Sequence, residues 1–217
     1  NDFIATAIYA TLKANGMSDG AHIRLTLTRG EKITSGMDPR LNQSGCTLIV
    51  LAEWKAPVYQ NAVTLITSSI RRNGPANIDS KIHHNNLINN ILAKIEANNA
   101  GADDALMLDN NGFVAETNAC NIFMIKNGML FTPNADACLP GITRKTVITL
   151  CQQNNIPIHL KNISLTEMYN ADQVFTTGTM GELTAVKMID GRAIINRSGT
   201  DLLQHINDLF RNLTLAL

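Results

Sequence analysis

The first sixty residues combine one helical pattern with two short runs of apolar positions. Apolar residues recur at helical spacing over 3–12 and stop at Asn15-Gly16, which predicts a first helix. The alternating residues 22–28 predict a strand. The strongly apolar run 46–53 predicts a strand that is buried on both faces. A polar loop over 29–44 separates these two strands.

Beyond residue 61 the pattern becomes a series of short strands and a few longer helices. The predicted strands cover 62–68, 105–108, 121–125, 129–131, 156–160, 173–176 and 183–188, and the predicted helices cover 86–98, 143–153 and 202–215. In the helix over 86–98, the face predicted to point inward carries Leu87, Ile91, Leu92 and Ile95.

Local signals support several of these boundaries. Asn127-Gly128 and Asp190-Gly191 predict two hairpin turns. Ser164-Leu165-Thr166-Glu167 is a capping box that opens a short helix. Strands and hairpins follow one another without strict βαβ alternation, which indicates an α+β fold. The polar stretch 69–80 carries Gly and Pro and predicts an interdomain connector between a first domain, 1–68, and a larger one, 81–217.

Composition narrows the functional classes. The chain has 217 residues, 45% of them hydrophobic and 17% charged, as in a globular protein. Eighteen basic and 18 acidic residues balance to zero, and aromatics are only 5%, which argues against nucleic acid as a partner. No apolar run approaches the length of a membrane span. The four cysteines have no CxxC or zinc-type spacing, so we expect reduced thiols and a cytoplasmic protein.

Three turns could carry chemistry. Residues 139–144 (LPGITR) place Pro and Gly before a helix, and free N–H groups at a helix N-terminus bind phosphate or carboxylate. Residues 176–182 (TTGTMGE) crowd three hydroxyls and two glycines into one tight turn after a strand. Residues 113–121 end a strand on a lone carboxylate, Glu116. By themselves these segments are more simply explained as an ordinary helix start, a polar turn and a solvated strand end.

Other binding signatures are weak. The sequence holds no GxGxxG and no Walker loop, so nucleotide binding has no direct support. The five histidines show no ligand spacing, and no metal site is predicted. The chain starts at Asn1, inside the first helical pattern, and we expect that an N-terminal segment is missing.

Taken together, four segments resemble the class IV (fold type IV) pyridoxal-phosphate aminotransferases, nearest to the branched-chain aminotransferase-like members. They are residues 78–97 (IDSKIHHNNLINNILAKIEA), 104–123 (DALMLDNNGFVAETNACNIF), 139–144 (LPGITR) and 174–186 (VFTTGTMGELTAV). The resemblance implies the α+β fold of that family. In it, a small α/β domain, incomplete here, precedes a larger β-rich domain that binds pyridoxal 5'-phosphate.

The resemblance also implies roles for single residues. Lys81 matches the lysine that forms a Schiff base with the cofactor, and it must be partly desolvated to act as a neutral nucleophile and then as a general base. Glu116 matches the carboxylate that pairs with the pyridine nitrogen. The matches to the phosphate contacts are Ile142, Thr143, Gly178 and Thr179.

The likeness has one departure beside the lysine. Branched-chain enzymes carry an Asn-Tyr pair after it, and the Tyr hydroxyl contacts the cofactor. This sequence has Asn85-Asn86-Leu87 there, and Asn85 or Asn86 is expected to substitute.

The likeness implies transamination between an amino acid and a 2-keto acid, in a homodimer. Arg24 and Arg40 lie in segments similar to those of branched-chain enzymes and are candidates to hold the substrate carboxylate. We expect L-branched-chain or related amino acids as the substrates. A D-amino acid aminotransferase, an aminodeoxychorismate lyase-like enzyme and a truncated scaffold without catalysis remain alternatives.

Overall fold

A computed structural model describes residues 2–56 and 61–216. The chain forms two compact units, Asn1–Pro57 and Val58–Leu217. Both contain helices and strands, which confirms the α+β class. None of the helices in residues 2–56 and 61–216 combines the length and the apolar character of a membrane span.

The described part of the first unit, residues 2–56, holds one α-helix and a two-stranded antiparallel sheet. Its elements are α1 (Asp2–Ala14), β1 (Ala21–Thr28), a 3₁₀ turn (Pro39–Leu41) and β2 (Thr47–Trp54). The two strands pair from Ala21 opposite Trp54 to Thr28 opposite Thr47.

The prediction that both faces of β2 are buried is wrong. Exposed and half-buried residues alternate along this strand, and Leu51 is 57% exposed. Among the described residues of this unit, β2 has one neighbouring strand, β1. A sheet of two strands covers too little surface to bury both faces of either strand, so the apolar run alone overestimated the burial.

The second unit is built on one large mixed sheet. Its elements are β3 (Val63–Thr67), α2 (Ile88–Asn99), β4 (Asp104–Leu108), β5 (Val114–Thr117), β6 (Asn121–Lys126), β7 (Met129–Thr132), α3 (Ile142–Gln153), β8 (Ile158–Leu160), α4 (Leu165–Tyr169), β9 (Gln173–Gly178), β10 (Glu182–Ile189), β11 (Arg192–Ala193) and α5 (Leu202–Leu215). The described strands follow the order β5-β4-β3-β10-β9-β6-β7-β8, and β11 pairs with β10.

The position of β3 moves the boundary between the units. This strand runs parallel to both β4 and β10, in the middle of the large sheet. The sequence placed residues 62–68 in the first domain, but the hydrogen bonds of β3 join it to the second unit. The predicted connector, 69–80, therefore lies inside that unit and leads from the end of β3 toward Lys81.

Alternating residues of β6 serve two apolar clusters on opposite faces of the sheet. Phe123 and Ile125 pack with residues of α3 and α5, whereas Ile122 and Met124 belong to the cluster on the other face. Phe123 stacks on Phe175 of β9, with ring centroids 5.0 Å apart. This two-sided core holds β6 and β9 side by side, and both strands lead to the candidate site.

The inward face of α2 differs from the prediction. The fully buried residues of this helix are Ala93 and Ala97, which pack on β4, whereas Leu87 before the helix and Ile91, Leu92 and Ile95 within it are all at least 40% exposed. Small alanines let the helix lie close to the sheet. The predicted set was therefore wrong, because periodicity locates an apolar stripe without showing which face the sheet covers.

The local turn predictions are confirmed. Asn127 and Gly128 adopt φ of 52° and 74°, the left-handed conformation of a two-residue hairpin turn, and β6 pairs with β7 across it. Asp190-Gly191 joins β10 to β11 in the same way. Both hydrogen bonds of the capping box at Ser164 are present.

Candidate active site

A buried carboxylate lies at the centre of the candidate site. Glu116 on β5 is 5% exposed. The interpretation of this residue as a solvated strand end is therefore wrong. Its Oε1 lies 2.6 Å from Nη2 of Arg72 and accepts a hydrogen bond from the backbone N–H of Leu139 at 3.2 Å. Its Oε2 accepts from Nδ2 of Asn121 at 3.0 Å. Three separate segments of the chain therefore hold this one side chain.

The charge of Glu116 is set by opposing effects. Burial is the larger one and raises the pKa of the carboxyl from 4.5 to about 7, while the positive charge of Arg72 and the Leu139 N–H lower it. Glu116 therefore changes its charge near neutral pH. A further positive charge beside it, in addition to that of Arg72, would favour the ionised form.

The start of α3 offers backbone donors. Gly141 is the N-cap residue, with no side-chain cap hydrogen bond, and the N–H of Lys145 bonds back to its carbonyl. The N–H groups of 142–144 precede that bond and have no acceptor within the helix. Thr143 is half-buried beside them. These donors and the helix dipole favour an anion at this position.

The turn between β9 and β10 faces the same space. Gly178 ends β9, and Thr179 follows it in the turn. Thr177, one residue earlier, is 2% exposed, and its Oγ1 has no hydrogen-bond partner among the described residues. A buried hydroxyl without a hydrogen-bond partner is costly, so a ligand that accepts a hydrogen bond from it would stabilise this end of the strand.

A cavity of about 430 Å³ connects these features. It is lined by Lys81, His83, Glu116, Ala119, Asn121, Leu139, Pro140, Gly141, Ile142, Thr143, Thr177, Gly178 and Thr179. All six residues predicted to bind the cofactor are present. The cavity has a carboxylate in one wall, and its lining also includes the helix N-terminus, the Gly178-Thr179 turn and one lysine.

Lys81 is more open than its predicted role requires. Its side chain is 44% exposed, and its Nζ lies 3.6 Å from Oδ2 of Asp79. Asp79 also accepts the backbone N–H of Lys81 at 3.0 Å, so this carboxylate organises the turn that presents the lysine. The expected desolvation is therefore incomplete in the chain by itself, and the amine must leave Asp79 to act in the cavity.

Several residues of the site were not predicted from the sequence. Arg72 was assigned to a polar connector, and nothing in its sequence neighbourhood indicates burial. Asn121 was treated as the first residue of a strand. His83 lines the cavity and also a second one of about 220 Å³ beside Arg72. The residues lining these two cavities include neither Asn85 nor Asn86, so the expected substitute for the family tyrosine is not found at either position.

The two candidate arginines for the substrate belong to the first unit. Arg40 is 89% exposed, and its Nε donates to both oxygens of Asp38 at 3.0 and 2.8 Å. This pairing holds the pKa of Asp38 below its usual range and orders the loop. Arg24 is an exposed residue on β1, opposite Leu51 of β2.

The chain is similar to known proteins of one family. The family profile described as amino-transferase class IV matches residues 1–189. The branched-chain-amino-acid aminotransferase-like protein 2 of Arabidopsis thaliana is 57% identical over 213 residues, which cover 97% of this chain and 38% of that protein. The putative branched-chain-amino-acid aminotransferase of Methanocaldococcus jannaschii is 35% identical over 207 residues, which cover 95% of this chain and 71% of that protein. The chain thus spans well under half of its Arabidopsis relative.

A solved structure extends the likeness to three dimensions. The branched-chain aminotransferase of the thermophilic archaeon Thermoproteus uzoniensis, crystallised with norvaline, superposes with a TM-score of 0.88 at 30% identity. The match covers 99% of this chain and 71% of that one.

Proposed function

The chain belongs to the class IV aminotransferase family, and from this premise we propose that it binds pyridoxal 5'-phosphate and catalyses transamination between an amino acid and a 2-keto acid. The observation that carries the proposal is the single cavity that brings Lys81, Glu116 and Thr143 together. These residues lie on separate segments of the chain, yet each offers a group that a different part of the cofactor requires.

The cavity fits the cofactor at both ends. The phosphate is a dianion, and the N–H groups at the start of α3 together with the hydroxyls of Thr143 and Thr179 are donors suited to it. The unpartnered Oγ1 of Thr177 adds another donor in the same wall. A Cβ on Gly178 would lie 3.0 Å from Sγ of Cys120, a tight contact, so the backbone of this turn is closely packed.

Glu116 suits the ring nitrogen. When bound, the cofactor supplies an electron sink for the bonds at the substrate Cα, provided that its ring nitrogen keeps a proton. A carboxylate next to that nitrogen favours the protonated ring. The protonated ring in turn favours the ionised form of Glu116, whose burial otherwise raises its pKa.

Lys81 moves the proton. With the cofactor bound, the amine of Lys81 would hold it covalently, and the amino group of the substrate would free that amine by replacing it. The freed amine would then act as the general base that takes the proton from the substrate Cα, and as the general acid that returns it. For each of these roles, the amine of Lys81 must first separate from the carboxylate of Asp79.

We propose L-branched-chain or related amino acids as substrates. The names of the relatives and of the matched structure support this class, and norvaline, the ligand of that structure, is an aliphatic amino acid. Arg40 and Arg24 are the proposed holders of the substrate carboxylate. D-amino acid transamination, an aminodeoxychorismate lyase-like reaction and a non-catalytic scaffold are the competing proposals.

We further propose a cytoplasmic homodimer. Cys46, Cys120, Cys138 and Cys151 are all free thiols, as in a reducing compartment. The exposed apolar side chains of α2, among them Ile88 at 57% and Ile91 at 54%, offer a surface for a second copy.

A panel of L- and D-amino acids tests this proposal on the full-length protein. Each amino acid is added to the cofactor-loaded protein, and conversion to the pyridoxamine form is followed by absorbance. Conversion by L-valine, L-leucine or L-isoleucine supports the proposal, and conversion by D-amino acids alone supports the D-specific alternative. Cofactor binding without any conversion, or no binding, supports the scaffold.

A further inference from the structure

Asn121 joins the two ends of the candidate site through one amide group. Its Nδ2 donates to Oε2 of Glu116 at 3.0 Å and to the carbonyl of Leu139 at 2.8 Å. Leu139 begins the segment that leads through Pro140 and Gly141 into α3. We propose that Asn121 is a positioning residue that fixes the anion-binding start of α3 relative to the carboxylate of Glu116; this inference rests on the proposed function of the site.

The orientation of the amide follows from its partners. A carboxylate oxygen and a backbone carbonyl are both acceptors, so the nitrogen of Asn121, and not its oxygen, must face them. The residue is only 6% exposed, so its amide has little access to bulk solvent. Two hydrogen bonds on one nitrogen fix the amide plane, and this places Oδ1 on the side of Gly141.

The identity of residue 141 depends on that oxygen. Gly141 has φ of −60° and ψ of 147°, a conformation that any L-residue adopts easily. Backbone freedom therefore does not require glycine there. A Cβ at this position would overlap Oδ1 of Asn121 and lie 3.4 Å from its Cγ, whereas the next neighbour, Cβ of Arg144, is at an ordinary 3.8 Å. Gly141 is glycine because Asn121 occupies the space of its side chain.

Neither Asn121 nor Gly141 can move without a cost to the site. Moving Oδ1 away from a new Cβ rotates the amide and breaks the bonds to Glu116 and Leu139. Moving Gly141 instead shifts the first N–H groups of α3, which are the proposed phosphate donors. A larger residue at position 141 should therefore weaken cofactor binding, and it should do so through its contact with Asn121.

A double-mutant cycle in the full-length protein tests this coupling. The variants are Gly141→Ala, Asn121→Ala and the double variant, and the measurements are the Kd for pyridoxal 5'-phosphate and the melting temperature of the cofactor-free protein. We expect Gly141→Ala to weaken cofactor binding about tenfold or more alone, and less than about threefold in the Asn121→Ala background. The melting temperature should show the same non-additivity.

A spectroscopic signature separates positioning from packing. Loss of the Asn121 donor removes a hydrogen bond that favours the ionised form of Glu116, so the pH-dependent change in the absorption of the bound cofactor should shift in Asn121→Ala. Gly74→Ala is the matched control, since a Cβ there has an ordinary 3.5 Å contact to the side chain of Asn110. It should change neither the Kd nor this transition.

Equal losses for Gly141→Ala in both backgrounds would overturn the proposal, as would an unmoved absorption transition in Asn121→Ala. Should Asn121→Ala fail to fold, Asn121→Ser removes Oδ1 with a smaller loss of polarity, and the same cycle applies. If the wild type binds no cofactor, the proposed function fails, while the melting temperatures of the four proteins still decide whether Asn121 and Gly141 are coupled.

Discussion

The Nη2 atom of Arg72 lies 2.6 Å from Oε1 of Glu116, and both side chains are more than nine-tenths buried. Arg72 also donates through Nη1 to Oδ1 of Asn90 at 2.8 Å, so its guanidinium is fixed by α2 as well as by the carboxylate. Removing one partner of such a pair leaves the other charge buried without compensation.

We therefore expect Arg72→Met to lower the free energy of unfolding by about 3 kcal/mol or more near pH 8. The loss should be smaller near pH 5, because the unpaired Glu116 is then protonated and neutral. Chemical denaturation at the two pH values measures both. Arg71→Met is the control, since Arg71 is exposed and, among the residues that the structure describes, donates to the backbone carbonyls of Ser68 and Ser69. An equal loss at both pH values would show that packing, and not charge, explains the effect.

Glu116 should make the stability of the cofactor-free protein depend on pH. Its pKa is about 7 in the folded chain against 4.5 for the ordinary group, so between these pH values the folded state binds more protons than the unfolded state. The free energy of unfolding must then fall as pH rises through this window, by about 3 kcal/mol in total. Glu116→Gln removes the titration, and this contribution to the slope should disappear.

The same substitution should slow catalysis. In the cofactor-loaded protein, Gln keeps the shape of Glu116 but lacks the charge that favours the protonated ring, so transamination should slow by orders of magnitude with cofactor content largely retained. Stopped-flow absorbance measures this step. Wild-type turnover in Glu116→Gln would assign the charge-stabilising role to another group, and an unchanged slope of stability with pH would show that Glu116 does not titrate in this range.

The threonines of the phosphate end should contribute through their hydroxyls. A hydrogen bond to a charged group is worth roughly 1.5–3 kcal/mol, so Thr143→Ala and Thr179→Ala should each weaken cofactor binding about ten- to a hundredfold. Thr→Ser at either position keeps the hydroxyl and should cost much less. Thr149→Ala, an exposed position of the same helix, is the control. Equal losses for Ala and Ser would indicate that the methyl group packs and that the hydroxyl does not bind.

Arg40 is predicted to act on the substrate and not on the cofactor. Arg40→Lys keeps a positive charge but loses the bidentate fork for a carboxylate, so KM for the amino acid should rise while the Kd for pyridoxal 5'-phosphate stays unchanged. Because Asp38 occupies the guanidinium in the structure, Asp38→Asn is an informative companion that frees it. Unaltered kinetics with both the amino acid and the keto acid would make Arg40 a residue that only orders its own loop, and would leave Arg24 as the candidate.

Local signals in the sequence predicted much of the fold and part of the site. The hairpin at Asn127-Gly128 and the capping box at Ser164 depend on a few neighbouring residues, and both were found where predicted. The helix start at Gly141 and the Gly178 turn are equally local. The structure adds that these two turns, together with Glu116 and Lys81, line one cavity, while their roles in catalysis stay predictions.

Interactions between distant segments could not be predicted from the sequence. The bond between Arg72 and Glu116 joins segments that are far apart in the chain, and it requires the connector after β3 to return to the side of β5. The prediction of the buried face of α2 was wrong for a related reason. Its apolar stripe was evident, but only the packed sheet shows that Ala93 and Ala97 face inward.

The central claim is that Lys81 is the residue that links covalently to the cofactor, and borohydride reduction followed by peptide mass mapping tests it most directly. The wild-type protein should carry a single pyridoxyl label on the peptide that contains Lys81. Lys81→Ala should still bind the cofactor noncovalently through the phosphate end and give no reducible adduct. A label on another lysine, such as Lys94, or an unchanged adduct in Lys81→Ala would contradict the account.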